Sequence, residues 1–233
     1  MKGHNSGVQA RLLEMNEKAL YIPCAAHSLN LALADGAKSS IPAISFLGTI
    51  NRLYVLFSSS PARWKIMTDN VPITVKAPSD TRWEARIDSV KPLRYCIENI
   101  IDALHQLEQY AIDKKDGSTA SEASSLTENI SSWPFIISIV VWNDILFQVN
   151  KTSKLLQSPS VTVDILNSEI TATLDFLQKY RETGFASACT DGREIAEKLD
   201  VQLIFPETRS RRRKQLMTWV VNQPRSVLRS SFS

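Results

Sequence analysis

Apolar positions recur every three or four residues along most of the chain, and this spacing is typical of one buried face of an α-helix. The pattern predicts a short helix over residues 8–18 and a second helix that begins just after Cys24. A third helix is predicted to open at Pro42, with Ile44 on its buried face. A fourth begins at Ser60-Pro61, because serine is a good N-cap and proline suits the first helical position.

The second half of the chain is also dominated by helical spacing. One long helix is predicted from about residue 81 to residue 112, with Pro92 as the position of a kink. The polar stretch 113–125 is predicted to be a loop. Further helices are predicted at about residues 134–156, 161–182 and 191–199.

One short segment departs from this helical pattern. Residues 19–24, with the sequence ALYIPC, are short and apolar and predict a buried strand. A buried strand needs neighbours for its backbone hydrogen bonds, and the chain offers none of comparable quality. The sequence therefore predicts a mainly α fold with a fragment of a sheet whose other strands lie outside this chain.

Composition narrows the class of protein. Apolar residues make up 43% of the 233 positions, which is enough for a hydrophobic core. The seven glycines are scattered and exclude a glycine-rich phosphate loop, and the three distant cysteines predict no disulfide framework. The most apolar run, Trp133–Trp142, is about half as long as a membrane span. We therefore expect a soluble intracellular protein with no membrane partner.

Charge is unevenly distributed. After residue 200 there are seven Lys or Arg residues and one Glu, so this segment carries +6 and the first 200 residues carry −3 of the total of +3. The basic residues cluster in the sequence RSRRRK, which is typical of nuclear localisation signals and nucleic-acid contacts, and also of solvated tails. The candidate DNA-binding residues here are Arg211, Arg212, Arg213 and Lys214.

Cys24 and His27 stand three residues apart where the predicted strand becomes a helix. A structural zinc site would need a second close pair of ligands, which the sequence lacks. A catalytic Cys/His pair would normally come from two different elements with an orienting acid. A buried cysteine beside a locally bonded histidine is the simplest alternative, so the spacing alone leaves three interpretations open.

The sequence SDTRWEAR, residues 79–86, opens the long helix predicted from residue 81. An arginine and an indole at a helix N-terminus can hold a phosphate and stack on an exposed base. The alternative is that Trp83 is a core aromatic residue and Arg82 is a surface charge. Periodicity alone favours this alternative.

Together, the sequences CAAHSLNLAL and DTRWEARIDSVKPL, about fifty residues apart, resemble the hAT superfamily of DNA transposases and the host proteins domesticated from them. The resemblance is greatest to the zinc finger MYM-type and TTF-type zinc-finger group, and it runs from about residue 7 to residue 205. It implies an RNase H-like domain interrupted by a helical insertion. Residues 1–60 would then be a partial RNase H-like segment, 61–205 the insertion, and 206–233 a basic disordered tail.

The resemblance also implies roles for particular residues. In such enzymes three carboxylates hold Mg²⁺ or Mn²⁺ for attack on a phosphodiester. His27 would lie at the margin of that active site with Cys24 as its motif partner. Arg82 and Trp83 would contact DNA, with the indole stacking on a base.

The departures from the family pattern decide the expected activity. The first two catalytic aspartates would precede Met1, and the catalytic glutamate would follow the helical insertion. We therefore expect an internal, catalytically incomplete piece of a transposase-like protein that is not an enzyme and has no cofactor of its own. The expected partner is weakly bound DNA in the nucleus. The alternative is a helical protein–protein interaction module, in the nucleus or in the cytoplasm.

Overall fold

The structure, a computed structural model, describes residues 7–19, 24–77 and 83–205. The regular secondary structure in these ranges is entirely helical, which confirms a mainly α fold. The helices are α1 (Val8–Met15), α2 (Ala25–Lys38), α3 (Ile41–Ser58), α4 (Pro61–Asn70), α5 (Trp83–Tyr95), α6 (Ile97–Asp113), α7 (Gly117–Ile130), α8 (Trp133–Leu156) and α9 (Val163–Lys198). Residues 20–23 of the predicted strand lie outside the described ranges. The RNase H-like character of residues 1–60 is therefore not confirmed.

Local chemistry fixes the start of α4 as the sequence predicts. The hydroxyl of Ser60 accepts a hydrogen bond from the backbone N–H of Arg63 at 3.3 Å, and Pro61 occupies the first helical position. This bond satisfies one of the N–H groups that a helix N-terminus leaves without a partner. The connector that follows, residues 71–77, has no regular secondary structure.

The long helix predicted over residues 81–112 is divided in two. Pro92 lies inside α5, where it lacks an N–H and its ring crowds the preceding turn. One turn later the N–H of Cys96 donates to the Pro92 carbonyl at 2.7 Å, and Cys96 leaves helical geometry with φ −133° and ψ 31°. The break therefore falls between α5 and α6, four residues after the predicted kink.

The loop predicted over residues 113–125 is wrong, because most of it belongs to α7. Asp116 caps this helix by accepting a hydrogen bond from the N–H of Thr119 at 3.1 Å. Ala123, Leu126 and Ile130 then follow at helical spacing and are buried. The surrounding Ser, Thr and Gly residues have a weak preference for the helix and make this short apolar stripe hard to see in the sequence. Packing against α6 stabilises the helix in spite of this weak preference.

The last two predicted helices are one helix, α9. Gly184 stands in the interval between the two predicted helices, but it lies inside α9 and is buried. Small residues at 184, 188, 192 and 196 form a buried stripe along α9. At Gly192 a Cβ would come within 2.8 Å of the Ile137 side chain on α8, so the two backbones approach closely there. The glycines in this segment therefore serve packing and do not end the helix.

One hydrophobic core unites the described residues on both sides of residue 60. Helix α6 packs on α4 and α7, α3 packs on α4 and α7, and α8 joins α5 to α9. The largest fully buried side chains are Ile50, Leu53, Phe57, Met67, Leu93, Ile100, Leu104, Leu107, Leu126, Ile130 and Ile136. The division of the chain at residue 60 into an RNase H-like segment and a helical insertion stays a prediction.

Two helices of the described part, α3 and α8, are long and apolar enough to cross a membrane by length and composition. The apolar run Trp133–Trp142, which by itself is too short for a membrane span, is only the first part of α8, and the helix continues to Leu156. Half of its qualifying window is buried between neighbouring helices, and core helices of soluble proteins pass the same test. The apolarity of α8 is therefore accounted for by its packing against α5 and α9.

Candidate nucleic-acid interface

A cleft of about 300 Å³ lies where α2, α3 and α5 meet. The described residues that line it are Ala37, Lys38, Ile44, Leu47, Gly48, Asn51 and Arg86. Two of these helices, α2 and α5, contain parts of the two sequence motifs. Helix α3 lies between them in the sequence. Helix α2 contains His27 of the Cys-x-x-His motif, α5 begins at Trp83 of the Arg-Trp motif, and α3 forms the floor.

Helical geometry explains how α3 forms this floor. Ile44, Leu47, Gly48 and Asn51 are spaced three, four and seven residues apart, so they lie on one face of the helix. The sequence predicted Ile44 to be buried, and this is wrong, because its side chain is 53% exposed beside the cleft. Phe46 and Ile50, on the adjacent face, are the residues that enter the core.

The cleft is cationic in the part of the chain that the structure describes. Lys38 stands in the last turn of α2, and Arg86 on α5 is buried, with 4% of its surface exposed. Asn51 adds an amide, and none of the described lining residues is acidic. Arg86 already interacts with another group, so Lys38 and the Asn51 amide, beside an apolar floor, are the polar groups that a ligand in this cleft could contact.

Gly48 keeps the floor of the cleft open. A Cβ placed on this residue would meet no atom within 4 Å, so the backbone packing does not require glycine there. A side chain at this position would occupy the cleft instead of a neighbouring helix. The site can therefore be blocked without disturbing the core.

Cys24 and His27 lie at the other end of α2 from this cleft. Cys24 precedes the helix and His27 is in its first turn, and both are exposed. With a rise of 1.5 Å per residue, His27 is about 16 Å along the helix from Lys38. The interpretation of Cys24 as a buried cysteine is wrong, because Ala26 takes the buried position in that turn. The role of His27 at an active-site margin stays a prediction.

The other predicted site residues fall outside the described part of the chain. Arg82 is not described, and Trp83 is described only as the first backbone position of α5. Arg211, Arg212, Arg213 and Lys214 are likewise outside it. Their predicted contacts with DNA therefore stay predictions.

The residues described here do not fit the Mg²⁺ or Mn²⁺ site that the resemblance implies for full-length transposases. Such ions take several oxygen ligands, mainly carboxylates. Among the described residues no group of three or more His, Cys, Asp or Glu side chains could hold a metal ion. No step of the function proposed below depends on a metal.

Sequence reasoning missed the three polar residues of the cleft. Arg86 is the last residue of the sequence SDTRWEAR, and that sequence carries no signal that its side chain lines a cleft. Lys38 and Asn51 carry no local signal, because only the packing of α2 against α3 brings them to one site.

Two other polar clusters lie elsewhere and stabilise the fold. Arg63 donates to Thr119 Oγ1 at 2.6 Å and to Asp116 at 3.0 Å, which ties α4 to the start of α7. Hydrogen bonds from Thr119, followed by the Arg63 charge, hold the pKa of Asp116 below its ordinary value. Between α8 and α9, burial and a 2.9 Å hydrogen bond to Asp144 raise the pKa of Tyr180 above its ordinary value.

No protein-family model matches the chain, and no solved structure matches it. The chain is similar to the human (Homo sapiens) "52 kDa repressor of the inhibitor of the protein kinase", with 27% identity over 220 residues. The mouse (Mus musculus) protein of the same name is 27% identical over 227 residues. Each match covers 85% of this chain and 28% of the relative, so the chain spans less than a third of the relatives' length.

These relatives are named as repressors, which places them among regulatory proteins by name. The similarity is distant, and it extends over most of the described helices. It is compatible with a chain that works by interaction and without catalysis.

Proposed function

We propose that this chain is a catalytically incomplete protein derived from a hAT-type, RNase H-like transposase, and that it binds nucleic acid weakly. The observation that carries the proposal is the cationic cleft, because α2 and α5, the helices of the two family motifs, both line it. The two motifs and the distant similarity to regulatory proteins named as repressors support the same ancestry.

Electrostatics explain why the binding is weak. The first 200 residues carry a net −3 and the segment after them carries +6, so the helical body alone offers little long-range attraction for DNA. The exposed Lys38 supplies a local contact, and the RSRRRK segment supplies most of the positive charge. Nuclear localisation is part of the proposal and rests on the same basic segment.

We propose that the chain does not catalyse DNA cleavage, and this rests on the metal-binding side chains among the described residues. Metal-dependent cleavage of DNA needs several carboxylates that converge on a pair of metal ions. In the described ranges the carboxylates do not form such a group with each other or with His or Cys. We therefore expect DNA to be bound and left uncut.

Fluorescence anisotropy with labelled hairpin and single-stranded DNA tests this function. We expect affinity to fall steeply with salt, and to fall further in the variant Trp83→Ala and in a variant with Arg211, Arg212 and Arg213 changed to Gln. Lys65→Gln is the matched control, because Lys65 is an exposed cation outside the cleft that pairs with Asp69. Absence of binding at low salt would contradict the proposal.

An apolar surface at the N-terminal helices favours a second candidate, a protein-interaction module. Val8, Leu12 and Met15 on α1 are exposed, as are Ile41 and Ile44 at the start of α3. Exposed apolar patches of this kind often mark protein contacts. This function predicts partner binding that is insensitive to salt and lost in Leu12→Asp, with no effect of Trp83→Ala.

A further inference from the structure

We propose that the chain associates with a second copy of itself through an apolar stripe on the first half of α9. The stripe consists of Val163, Leu166, Ile170, Leu174 and Leu177. In the proposed dimer the two copies of α9 lie antiparallel, and the two-fold axis passes level with position 172. The inference goes beyond the proposed function, because self-association and binding of nucleic acid are measured separately.

The stripe is defined by its spacing and by its exposure. Its members follow one another at intervals of three or four residues, so they share one face of the helix over about 21 Å. Val163 and Leu174 have 71% and 61% of their surface exposed, and Ile170 has 38%. Leu166 and Leu177 are half-buried. A continuous exposed apolar face of this kind is typical of a contact with another helix.

The contact of this half of α9 with α8 is polar, which leaves the apolar stripe outside the core. Helix α8 is the main neighbour of α9 among the described helices. The hydroxyl oxygens of Thr152 and Thr173 lie 2.6 Å apart, and the Tyr180 hydroxyl donates to Asp144 at 2.9 Å. A helix at the edge of a soluble domain normally buries its apolar face and exposes its polar face. This half of α9 does the reverse, so its apolar face is available to a partner.

The charges at the two ends of the stripe indicate which partner it is. Asp164 stands in the first turn of α9, Arg181 stands one turn beyond Leu177, and both are exposed. Within the described ranges neither forms a salt bridge, so both are free to pair with another chain. They lie about 12 Å and about 14 Å from the axis, in opposite directions. An antiparallel second copy therefore brings Asp164 of each chain to Arg181 of the other, whereas a parallel copy would bring like charges together.

The middle of the stripe is self-complementary as well. Ile170 and Leu174 are equally far from the axis, so each residue lies opposite the other across it. Asn167 and Gln178 are exposed beside the stripe at nearly equal distances from the axis, and their amides can exchange hydrogen bonds. Every contact occurs twice in such a two-fold interface. Because the stripe is short, we expect a weak dimer that forms as concentration rises.

Other occupants fit this stripe less well. An anionic lipid surface or a nucleic acid would be matched by basic residues along its whole length. Here the basic residues Lys179 and Arg181 stand at one end, and Asp164 stands at the other. A helix from a different protein needs no self-complementary pattern, and the experiment below separates that case from self-association.

Sedimentation velocity of the full chain from about 1 to about 100 μM tests the proposal. We expect the average mass to rise towards that of a dimer with concentration. Leu174→Glu places a charge in the middle of the stripe and should raise the dissociation constant of the dimer at least about tenfold. Ile112→Glu is the matched control, because Ile112 is an apolar residue on α6 of similar exposure, 54%, and it should leave association unchanged. A monomer at all concentrations, even one that binds a different protein through the stripe, or a dimer unaffected by Leu174→Glu, would overturn the proposal.

A charge exchange between Asp164 and Arg181 is the second test, and it does not disturb the core because both residues are exposed. Asp164→Arg and Arg181→Asp each bring like charges together at both ends of the dimer and should weaken self-association about threefold or more. An equimolar mixture of the two variants restores opposite charges at both ends and should associate within about twofold of the wild type. A mixture that associates no better than the single variants would overturn the proposal.

Binding of a DNA hairpin by the same variants keeps this inference separate from the proposed function. Leu174→Glu that is monomeric and still binds DNA supports the dimer surface and leaves the proposed function standing. A wild-type chain that binds DNA and stays monomeric would overturn the dimer alone.

Discussion

Some side chains in this chain form hydrogen bonds with backbone groups a few residues away, and these bonds can be predicted from the sequence. The Ser60 cap is of this kind and could be read from the sequence, because both partners lie within four positions. Lys38, Asn51 and Arg86 could not be read in this way, since they are distant in sequence and meet only through helix packing. Local hydrogen bonding is therefore encoded in short stretches, and the candidate site is not.

Gly192 provides a test of packing at the scale of one residue. A Cβ at this position would lie 2.8 Å from Ile137 Cδ1 and 3.3 Å from Trp133 Cζ3, so a large side chain must displace α8 from α9. We expect Gly192→Leu to lower the free energy of unfolding by about 1–3 kcal/mol, measured by urea denaturation.

Gly36→Ala is the control for this substitution. A Cβ at Gly36 meets nothing within 4 Å, and alanine is a better helix former than glycine. The free energy of unfolding should therefore rise by up to about 1 kcal/mol. Unchanged stability in Gly192→Leu would mean that α8 and α9 are not in close contact at this point.

Asp116 provides a test of electrostatics. Its folded pKa lies below its ordinary value because Thr119 and Arg63 stabilise the charged form. A depressed pKa contributes stability at pH values above the unfolded pKa of about 4, and this contribution is lost as pH falls through the folded pKa. We expect Asp116→Asn to lower the urea midpoint at neutral pH while the cap is retained, since asparagine also caps helices.

The difference between wild type and Asp116→Asn should shrink as the pH falls below about 4. Asp69→Asn is the matched control, because Asp69 belongs to an exposed i,i+4 pair with Lys65, and such pairs contribute little. A difference that stays constant from neutral to acid pH would show that the charge of Asp116 has no stabilising role.

At the scale of whole elements, the spacing of apolar residues was sufficient to find α1, α2, α3 and α8, and the Ser60-Pro61 cap located α4. It failed for α7, whose buried face consists of small and polar residues broken only by Leu126 and Ile130. It also divided α9 at Gly184, because a glycine that makes room inside a helix for a side chain of the preceding turn, here Tyr180, looks in sequence like one that ends a helix. The error at α7 comes from tertiary contacts that a sequence window does not contain.

The outer part of the α8–α9 pair is held by a polar seam. Thr152 and Thr173 are both buried and lie 2.6 Å apart between their hydroxyl oxygens, and Gln148 donates to Thr173 at 3.0 Å. Thr173→Val should lower the free energy of unfolding by about 0.5–1.5 kcal/mol, because it removes the hydrogen bonds that the buried Thr173 hydroxyl makes with Thr152 and Gln148. Urea denaturation measures the change.

Because the two hydroxyls share one hydrogen bond, the double variant Thr152→Val with Thr173→Val should cost less than the sum of the single variants. Thr171→Val on the exposed side of α9 is the matched control and should have little effect. Strict additivity of the two buried substitutions would contradict a direct bond across the seam.

At the scale of the whole molecule, the two sequence motifs are the basis of the proposed transposase ancestry, which the helices alone do not indicate. A helical fold hosts many functions, so the function must be argued from the site and the motifs. The described residues share a single helical core, and the first 200 residues carry a net charge of −3 ahead of the basic C-terminal segment. Such a body fits a protein that contacts nucleic acid at a few points, with the basic segment supplying the long-range attraction.

The most direct test follows one labelled DNA hairpin with the purified full chain in Mg²⁺ or Mn²⁺, by anisotropy for binding and by denaturing gel for cleavage. Our account predicts binding at low salt that weakens steeply as salt rises, with the hairpin recovered intact. Cleavage that depends on the added metal, or no binding even at low salt, would contradict it.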